Sequence, residues 1–391
     1  DREGTVQITI PREKVAKELL EKTDSLQRRC SIGVKGVVRK TEMTPRRVEV
    51  VPDEIRVFAA AQHPLPLDVT GRTSAQIDVR LDARALDLCR RENQAVFRIQ
   101  HVALDGIHNF LSGQGFIEVH TPRIIGSATE GGAALFPVSY FEQEGFLAQS
   151  PQLYKEQLTL SLEKVFEVGA FFRAEKSHTR RHLTEFISVD IEQAFATAGD
   201  VMQVLEKLMY HVCKTVKENC KKGLEFLGSD IELPRLPFKR FTYNQMLEEL
   251  KEVGMEVPWG EDFSTLACKT LGKLHPYFYF ITDWPSDSKP FYIKPHDDEP
   301  KLCGAFDLMW REMEIASGGT RVDSKEQLIE RLKKQGLKPE SFKYHLQAFD
   351  YGMPPHAGWA VGFERLMMML TGKRNIREVA LFPRDRFRLT P

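Results

Sequence analysis

Residues 172–175 read Phe-Arg-Ala-Glu, and residues 362–365 read Gly-Phe-Glu-Arg. Each segment carries one arginine, Arg173 in the first and Arg365 in the second. Arginines near the two ends of a bound triphosphate suit chemistry at its α-phosphate, because negative charge develops there and on the leaving pyrophosphate. An earlier segment, residues 115–122, reads Gly-Phe-Ile-Glu-Val-His-Thr-Pro. None of the three decides the fold alone, but their order along one chain does.

The composition leaves a nucleic-acid partner open but argues against cysteine-based metal sites, a disulfide framework and a membrane span. The 391 residues include 55 Lys plus Arg and 55 Asp plus Glu, so any surface for nucleic acid must be a local one. The six cysteines form no CxxC pair, which argues against a zinc knuckle and against a disulfide framework. No apolar run approaches the roughly 20 residues of a membrane span. These features predict a soluble, cytoplasmic globular protein with a large core.

The first 66 residues predict a small, partial β-barrel. Residues 5–10 alternate between apolar and polar side chains, which is typical of a half-buried strand. Further strand-like stretches and one helical stretch follow, at 12–22 (helical), 32–38, 48–51 and 55–58. A five-stranded barrel needs more strands than these, so the domain is expected to be incomplete at its N-terminal side.

A linker is expected after this barrel. The stretch 63–67 reads His-Pro-Leu-Pro-Leu, and the residue before a proline is pushed out of the helical region. We therefore predict an N-terminal domain at 1–66, a linker or hinge at 67–94 and a catalytic domain at 95–391. Apolar residues at helical spacing predict long core helices that start near Ala95 and Asp200.

Two basic residues occur in segments that suit a small polar ligand. Residues 150–155 read Ser-Pro-Gln-Leu-Tyr-Lys and precede an amphipathic stretch. From this hexapeptide alone, Lys155 is equally well explained as a solvated lysine on a helix. A second cation, Arg321, follows the turn-like Gly318-Gly319 pair, where backbone can approach a ligand closely.

These motifs together resemble those of the class IIb aminoacyl-tRNA synthetases, and specifically the aspartyl-tRNA synthetases of the archaeal and eukaryotic type. The resemblance extends over essentially the whole chain. It implies an α+β fold, with a class II catalytic domain built on an antiparallel β-sheet flanked by helices. It also implies that a partial OB-fold barrel, which binds the anticodon, precedes the catalytic domain.

The implied activity is ATP-dependent activation of L-aspartate to aspartyl adenylate, followed by transfer to tRNA. Mg²⁺ is the implied cofactor, and the implied partners are tRNA and a second copy of the chain, joined through residues 95–122. The sequence leaves open whether only the aspartate tRNA is charged or also the asparagine tRNA. Three alternatives also stay open: an enzyme that passes activated aspartate to ammonia, an asparaginyl-tRNA synthetase, and a non-catalytic RNA-binding protein.

The resemblance assigns the aspartate site residue by residue. Lys155 and Arg321 would hold the side-chain carboxylate, and two cations in a closed pocket favour a carboxylate over an amide. The α-ammonium would be bound by Glu130, Gln152 and Asp190, and Ser150 would complete the site. Glu130 precedes a Gly-Gly pair that is typical of a mobile loop. Read without the family, Glu130 is an ordinary surface acid.

The resemblance also assigns the nucleotide and tRNA sites. Arg173 would contact the α-phosphate, His182 the outer phosphates and Arg365 the γ-phosphate, while Phe186 would stack on adenine. The other implied ligands are Glu175, Leu183 and Glu314 for ATP; Asp307, Glu314 and Ser317 for the metal; and Gln7, Glu175 and Ser317 for tRNA. One departure concerns Ala360, which stands at a position where the family usually has glycine.

Overall fold

The computed structural model describes residues 4–13, 15–44, 47–126, 135–177 and 179–391. The chain divides into two compact units, one that ends at Ala75 and one from Gln76 to Pro391. Within the described residues, no helix has both the length and the apolar character needed to cross a membrane.

The smaller unit contains a three-stranded sheet and one helix. Its elements are β1 (Gln7–Ile8), α1 (Lys17–Asp24), β2 (Ser31–Lys40) and β3 (Val48–Ala59). The central strand is β3, which pairs in parallel with β1 and antiparallel with β2. The two stretches predicted as separate strands at 48–51 and 55–58 form the single strand β3, with a register shift opposite Gly36. The assignment to a partial OB-fold stays a prediction.

The larger unit is organised around a mainly antiparallel sheet. Its helices are α2 (Ile77–Asp82), α3 (Arg84–Asp87), α4 (Arg91–Gly113), α5 (Gln152–Leu162), α6 (Ala198–Asn219), α7 (Lys221–Leu227), α8 (Tyr243–Glu252), α9 (Thr265–Leu274), α10 (Lys325–Lys334), α11 (Lys343–Asp350) and α12 (Phe363–Thr371). Its strands are β4 (Ile117–Glu118), β5 (Ile124–Ile125), β6 (Pro137–Tyr140), β7 (Gln143–Leu147), β8 (Lys164–Phe172), β9 (Glu185–Ala194), β10 (Lys239–Thr242), β11 (Phe278–Pro285), β12 (Leu302–Trp310), β13 (Met313–Thr320) and β14 (His356–Gly362).

Among the described residues, eight of these strands form one sheet in the order β10-β11-β12-β13-β14-β9-β8-β4. The six central strands pair antiparallel, and the two outermost strands are added in parallel. The predicted antiparallel sheet flanked by helices is therefore confirmed. Part of the segment 67–94, which the sequence predicts as a linker, forms α2 and α3.

The two faces of the sheet differ because side chains alternate along each strand. On β14, Ala357, Trp359 and Val361 are buried in the core that the sheet shares with α4, α6 and α12. The Trp359 indole Nε1–H donates to the Val201 carbonyl of α6 at 3.0 Å. The intervening residues of β14 face the opposite side, where small side chains leave room for a ligand.

The long helices follow their apolar spacing. The buried residues of α4 recur every three or four positions, as its core-facing stripe requires. Helix α6 starts at Ala198, two residues before the predicted start near Asp200. Thr197 is the N-cap, and Asp200 is its partner in the third helical position, where the carboxylate accepts from the Thr197 backbone N–H at 2.8 Å.

Candidate active site

A polar cavity of the larger unit, lined by the residues predicted to bind substrate, lies on the open face of the sheet. Its volume is about 260 Å³. Four strands supply its floor through residues that are register partners: Asp307 (β12), Ser317 (β13), Ala360 (β14) and Asp190 (β9). In-register neighbours point to the same face of a sheet, so residues far apart in the chain form one continuous row. All four residues line the cavity.

A second row runs beside the first and contains glycines. Glu192 on β9 is paired with Gly358 on β14, which is paired with Gly319 on β13. A Cβ on Gly358 would lie 2.2 Å from the Ile191 carbonyl oxygen and 2.3 Å from Glu192 Oε2. Only glycine leaves space there for the buried Glu192 carboxylate.

The two cations predicted to hold the substrate side chain converge on this carboxylate. Arg321 Nε–H donates to Glu192 Oε1 at 2.9 Å, and Lys155 Nζ lies 3.5 Å from Glu192 Oε2. Lys155 also donates to Asp190 Oδ1 at 2.9 Å, and both residues are only 1–2% exposed. Lys155 is thus a buried, paired lysine, which contradicts the alternative of a solvated helix lysine.

The two cations differ in their access to the cavity. Arg321 lines it directly, whereas Lys155 lies behind Asp190, which lines it. A ligand carboxylate would therefore meet the Arg321 guanidinium first and would reach Lys155 beside Asp190. Ser188 donates to the other oxygen of Asp190, Oδ2, at 2.5 Å and holds that carboxylate in place.

The end of the cavity that is predicted to bind the nucleotide carries a guanidinium nitrogen without a partner among the described residues. Arg173 and Phe186 line the cavity, and the Arg173 guanidinium lies 5.3 Å from the centre of the Phe186 ring. Within the described part of the chain, Arg173 Nε is buried and has no hydrogen-bond partner. A buried donor without a partner is costly, so a phosphate oxygen would satisfy it.

Arg365 and His182 lie close to this end. The Arg365 guanidinium nitrogen Nη1 donates to the Glu314 carbonyl at 3.1 Å, and the same nitrogen lies 3.6 Å from the Glu314 carboxylate. Burial lowers the pKa of His182, and the nearby charge of Arg365 lowers it further. A neutral imidazole at this place can donate a hydrogen bond to a phosphate oxygen. Leu183 is buried in the core and Glu175 is exposed.

The predicted metal ligands fit Mg²⁺. Asp307, Glu314 and Ser317 all line the cavity and offer only oxygen donors. Burial, opposed by Lys289 and reinforced by the charge of Glu314, raises the pKa of Asp307 to about 6. The described residues contain no group of three or more His, Cys, Asp or Glu that could hold a metal alone. Two acids that need phosphate oxygens to complete the shell are what Mg²⁺ uses at nucleotide sites.

Two further predicted ligands are not among the described residues that line the cavity. Glu130 lies outside the described residues, so its predicted contact with the α-ammonium stays a prediction. Gln7 is an exposed residue of β1 in the smaller unit, where its Nε2 donates to Thr9 Oγ1 at 3.2 Å. Ser150 and Gln152 line the cavity, as predicted for the aspartate site.

Sequence reasoning missed two charged residues of the site. Glu192, which joins the two cations, could have been found from the alternation Ser188-Val189-Asp190-Ile191-Glu192, since it shares a strand face with Asp190. Lys289 lines the cavity and donates to Asp307 Oδ2 at 2.8 Å, with its Nζ 3.7 Å from the Trp284 ring centre. No local pattern marks Lys289, because its segment belongs to the loop after β11.

The chain is similar to known proteins over its whole length. The family described as tRNA synthetases class II (D, K and N) matches residues 76–386. The "Aspartate--tRNA(Asp/Asn) ligase" of Archaeoglobus fulgidus is 50% identical over 392 residues, which cover 100% of this chain and 91% of that protein. The protein of the same name from Methanopyrus kandleri is 52% identical over 395 residues, again with 100% and 91% covered.

Solved structures of similar proteins have the same fold. The asparaginyl-tRNA synthetase of Pyrococcus horikoshii, complexed with asparaginyl-adenylate, superposes with a TM-score of 0.96 at 32% identity, covering 100% of this chain and 91% of that one. A putative aspartyl-tRNA synthetase of Leishmania major Friedlin gives a TM-score of 0.90 at 27% identity, with 99% and 86% covered. The chain therefore shares its fold with a protein named as an asparaginyl-tRNA synthetase and with a protein named as a putative aspartyl-tRNA synthetase.

Glu364, next to Arg365, generates a prediction about pH. Its carboxylate accepts from the Ile187 backbone N–H at 3.0 Å, and burial raises its pKa from 4.5 to about 7. Below about pH 4.5 the Glu364 carboxyl is protonated in both the folded and the unfolded chain. As the pH rises, the unfolded chain loses this proton first, so the contribution of Glu364 to the free energy of unfolding is lost as the pH rises through about 7. Glu364→Gln keeps an acceptor for Ile187 but carries no charge.

We therefore expect Glu364→Gln to raise the melting temperature by a few degrees relative to the parent at about pH 8, and by much less at about pH 5. Thermal unfolding followed by circular dichroism at both pH values measures this. Glu225→Gln, at an exposed position, is the matched control and should behave like the parent. A Glu364→Gln advantage that does not change with pH would contradict the assignment.

Proposed function

This chain belongs to the class II tRNA synthetases (D, K and N), and from that premise we propose that it is an aspartate–tRNA ligase. It activates L-aspartate with ATP and transfers the aspartyl group to the 3′-terminal adenosine of tRNA. The observation that carries the choice of amino acid is the convergence of Lys155 and Arg321 on one buried carboxylate, Glu192. The relatives at about half identity, which carry aspartate in their names, support the same choice.

The electrostatics favour aspartate over asparagine. A substrate carboxylate placed between Arg321 and Lys155 would be bound by two cations, whose own carboxylate partners lie on the sheet floor. An asparagine amide would bring N–H donors toward these donors and leave one of them unsatisfied. Sites built to pair a charged group reject a neutral analogue strongly, since buried polar groups are then left without partners.

Adenylate formation needs no protein nucleophile. The aspartate α-carboxylate oxygen attacks the α-phosphorus, the bond from that phosphorus to the bridging oxygen breaks, and pyrophosphate leaves. Arg173 would hold the α-phosphate through its unpaired Nε, Arg365 and His182 would bind the outer phosphates, and Phe186 would stack on adenine. The enzyme acts by positioning and charge stabilisation.

Transfer follows at the same site. A hydroxyl of the terminal adenosine attacks the adenylate carbonyl, AMP leaves with the bond electrons, and an adenylate phosphate oxygen takes the hydroxyl proton. Mg²⁺ would be held by Asp307, Glu314 and Ser317 and would supply neutralisation of phosphate charge. Glu175 and Ser317 would contact the tRNA end. Because translation enzymes work where tRNA is used, a cytoplasmic location is part of this proposal.

The first experiment is pyrophosphate exchange into ATP with Mg²⁺, without tRNA, comparing aspartate, asparagine and no amino acid. Exchange with aspartate and none with asparagine is expected. Exchange with asparagine would overturn the role of the two cations. Subsequent charging of purified aspartate and asparagine tRNAs then tells whether tRNA or ammonia is the acceptor, and whether both tRNAs are accepted.

The role of Lys155 predicts a selective defect. Lys155→Met should raise the aspartate KM by about a hundredfold or more, because the substrate carboxylate would lose one cation, and should change the ATP KM by less than about threefold. Lys289→Met is a matched control, since Lys289 is also a largely covered lysine, 14% exposed and paired with a carboxylate, but at the proposed metal acid Asp307. Lys289→Met should raise the KM for ATP more than the KM for aspartate. Equal effects of Lys155→Met on both substrates would rule out the proposed role.

The smaller unit should act only in the tRNA step. Gln7→Ala is expected to raise the KM for tRNA about tenfold, through loss of hydrogen bonds to a single-stranded base, and to leave pyrophosphate exchange unchanged. Steady-state charging measures the first quantity. Gln27→Ala, another exposed glutamine of this unit, is the control. An unchanged tRNA KM would remove Gln7 from the interface.

A homodimer is also part of the proposal. The strand β4 lies at the edge of the large sheet, and its Ile117 side chain is 48% exposed. An apolar edge strand beside the amphipathic helix α4 suits pairing with a second copy. Light scattering at micromolar concentration should give twice the chain mass of 44.8 kDa.

A further inference from the structure

One turn after Gln152, helix α5 carries a glutamate that does not line the cavity. Glu156 is 1% exposed, and its helix neighbour Gln152 lines the cavity. Gln152 Nε2–H donates to Glu156 Oε1 at 2.6 Å. A carboxylate with no proton can only accept hydrogen bonds, so the amide nitrogen of Gln152, and not its oxygen, must face Glu156. The amide orientation is therefore determined by Glu156.

Two buried histidines keep Glu156 in its charged form. His356 Nε2 lies 3.4 Å from Glu156 Oε2, and its Nδ1 lies 2.8 Å from the Pro354 carbonyl. His345 Nε2 lies 3.3 Å from the same Oε2, as a close contact without hydrogen-bond geometry. Burial alone would raise the pKa of Glu156, but the two imidazoles hold it below the ordinary value.

The cluster also connects three elements of the site. Glu156 belongs to α5, His345 to α11 and His356 to the start of β14. The His356 carbonyl accepts from the Arg321 backbone N–H at 2.9 Å. The helix that carries Gln152 is thus tied to the backbone of the residue that would bind the substrate side chain.

The orientation of Gln152 matters because the two ends of an amide recognise opposite ligands. With its nitrogen bound to Glu156, the Gln152 oxygen lies on the other side of the amide carbon, and Gln152 lines the cavity. A carbonyl oxygen accepts from an ammonium group, whereas an amide N–H₂ would repel it. We propose that Glu156 is a positioning residue that presents the Gln152 oxygen to the α-ammonium of the amino acid. The inference rests on the proposed function and names a determinant of it.

Succinate tests this directly, because it has both carboxylates of aspartate and lacks the ammonium group. The parent enzyme and Glu156→Gln are compared for the aspartate KM, the succinate inhibition constant and the ATP KM in pyrophosphate exchange. Glu156→Gln should lower the preference for aspartate over succinate about tenfold or more, since the substituted amide no longer dictates which end of Gln152 faces the ligand. Succinate inhibition and the ATP KM should stay within about threefold.

A double-mutant cycle locates the effect at Gln152. Gln152→Ala should lower the same preference, and Glu156→Gln added to it should lower it no further. If Glu156→Gln does not fold, Glu156→Asp replaces it. This variant keeps the charge but is too short to reach Gln152, so it should also lower the preference for aspartate over succinate.

The outcomes separate the two proposals. No aspartate exchange by the parent would overturn the proposed function. Exchange by the parent, with an unchanged preference in Glu156→Gln or an equal loss of aspartate and succinate binding, would overturn the positioning role alone.

Discussion

A buried network of two cations and two carboxylates is the constraint on which the rest of the site depends: Lys155, Arg321, Asp190 and Glu192. Isolated charges in a protein interior are unstable, and removing one partner of a buried pair costs about 3–5 kcal/mol. The network can exist only because β9, the residue that follows β13 and helix α5 place all four groups together. Its cation and carboxylate charges balance, so a bound substrate carboxylate adds to a site that is already neutral. The direct access of Arg321 to the cavity then decides where that carboxylate is bound.

This constraint explains the small residues on the open face of the sheet. Glu192 fits because its neighbour on β14 is Gly358, and a methyl group there would clash with both backbone and carboxylate. The same row continues through Gly319 on β13. On the parallel row, Ala360 replaces the glycine that the family usually has, and it lines the cavity between Ser317 and Asp190. Its methyl group points to open space and therefore narrows the cavity without closing it.

The cavity has two ends with different chemistry. The end proposed to bind the amino acid is built from paired charges that are almost wholly buried, and the end proposed to bind the phosphates contains Arg173, whose Nε has no partner among the described residues. A preformed, paired end discriminates between similar substrates, because any ligand must match fixed groups. At the other end, an unpaired cation interacts most strongly when negative charge develops on the α-phosphate, so it stabilises the transition state. Specificity and rate enhancement are thus assigned to separate parts of one sheet face.

Much of the fold and part of the site could be predicted from the sequence. The resemblance implied an antiparallel sheet flanked by helices, and β8, which ends just before Arg173, and β9, which contains Phe186, pair antiparallel within it. Local motifs singled out Lys155 and Arg321 as candidate ligands, and the family resemblance added Asp307 and Glu314 as proposed metal acids. The boundaries of the N-terminal domain and the contact of Glu130 with substrate remain predictions.

Other features were decided only in three dimensions. Glu192, Lys289 and Glu156 act through partners that are distant in the chain, and no local pattern names those partners. From its sequence motif, Lys155 was equally well explained as a solvated lysine. The structure instead buries it against Asp190. The sequence by itself determined which side chains the protein has for binding carboxylates and phosphates, because residue type and local spacing are encoded there. Only the tertiary structure decided which of these charges meet, because strand register and the packing of α5 on the sheet set the distances between buried charges.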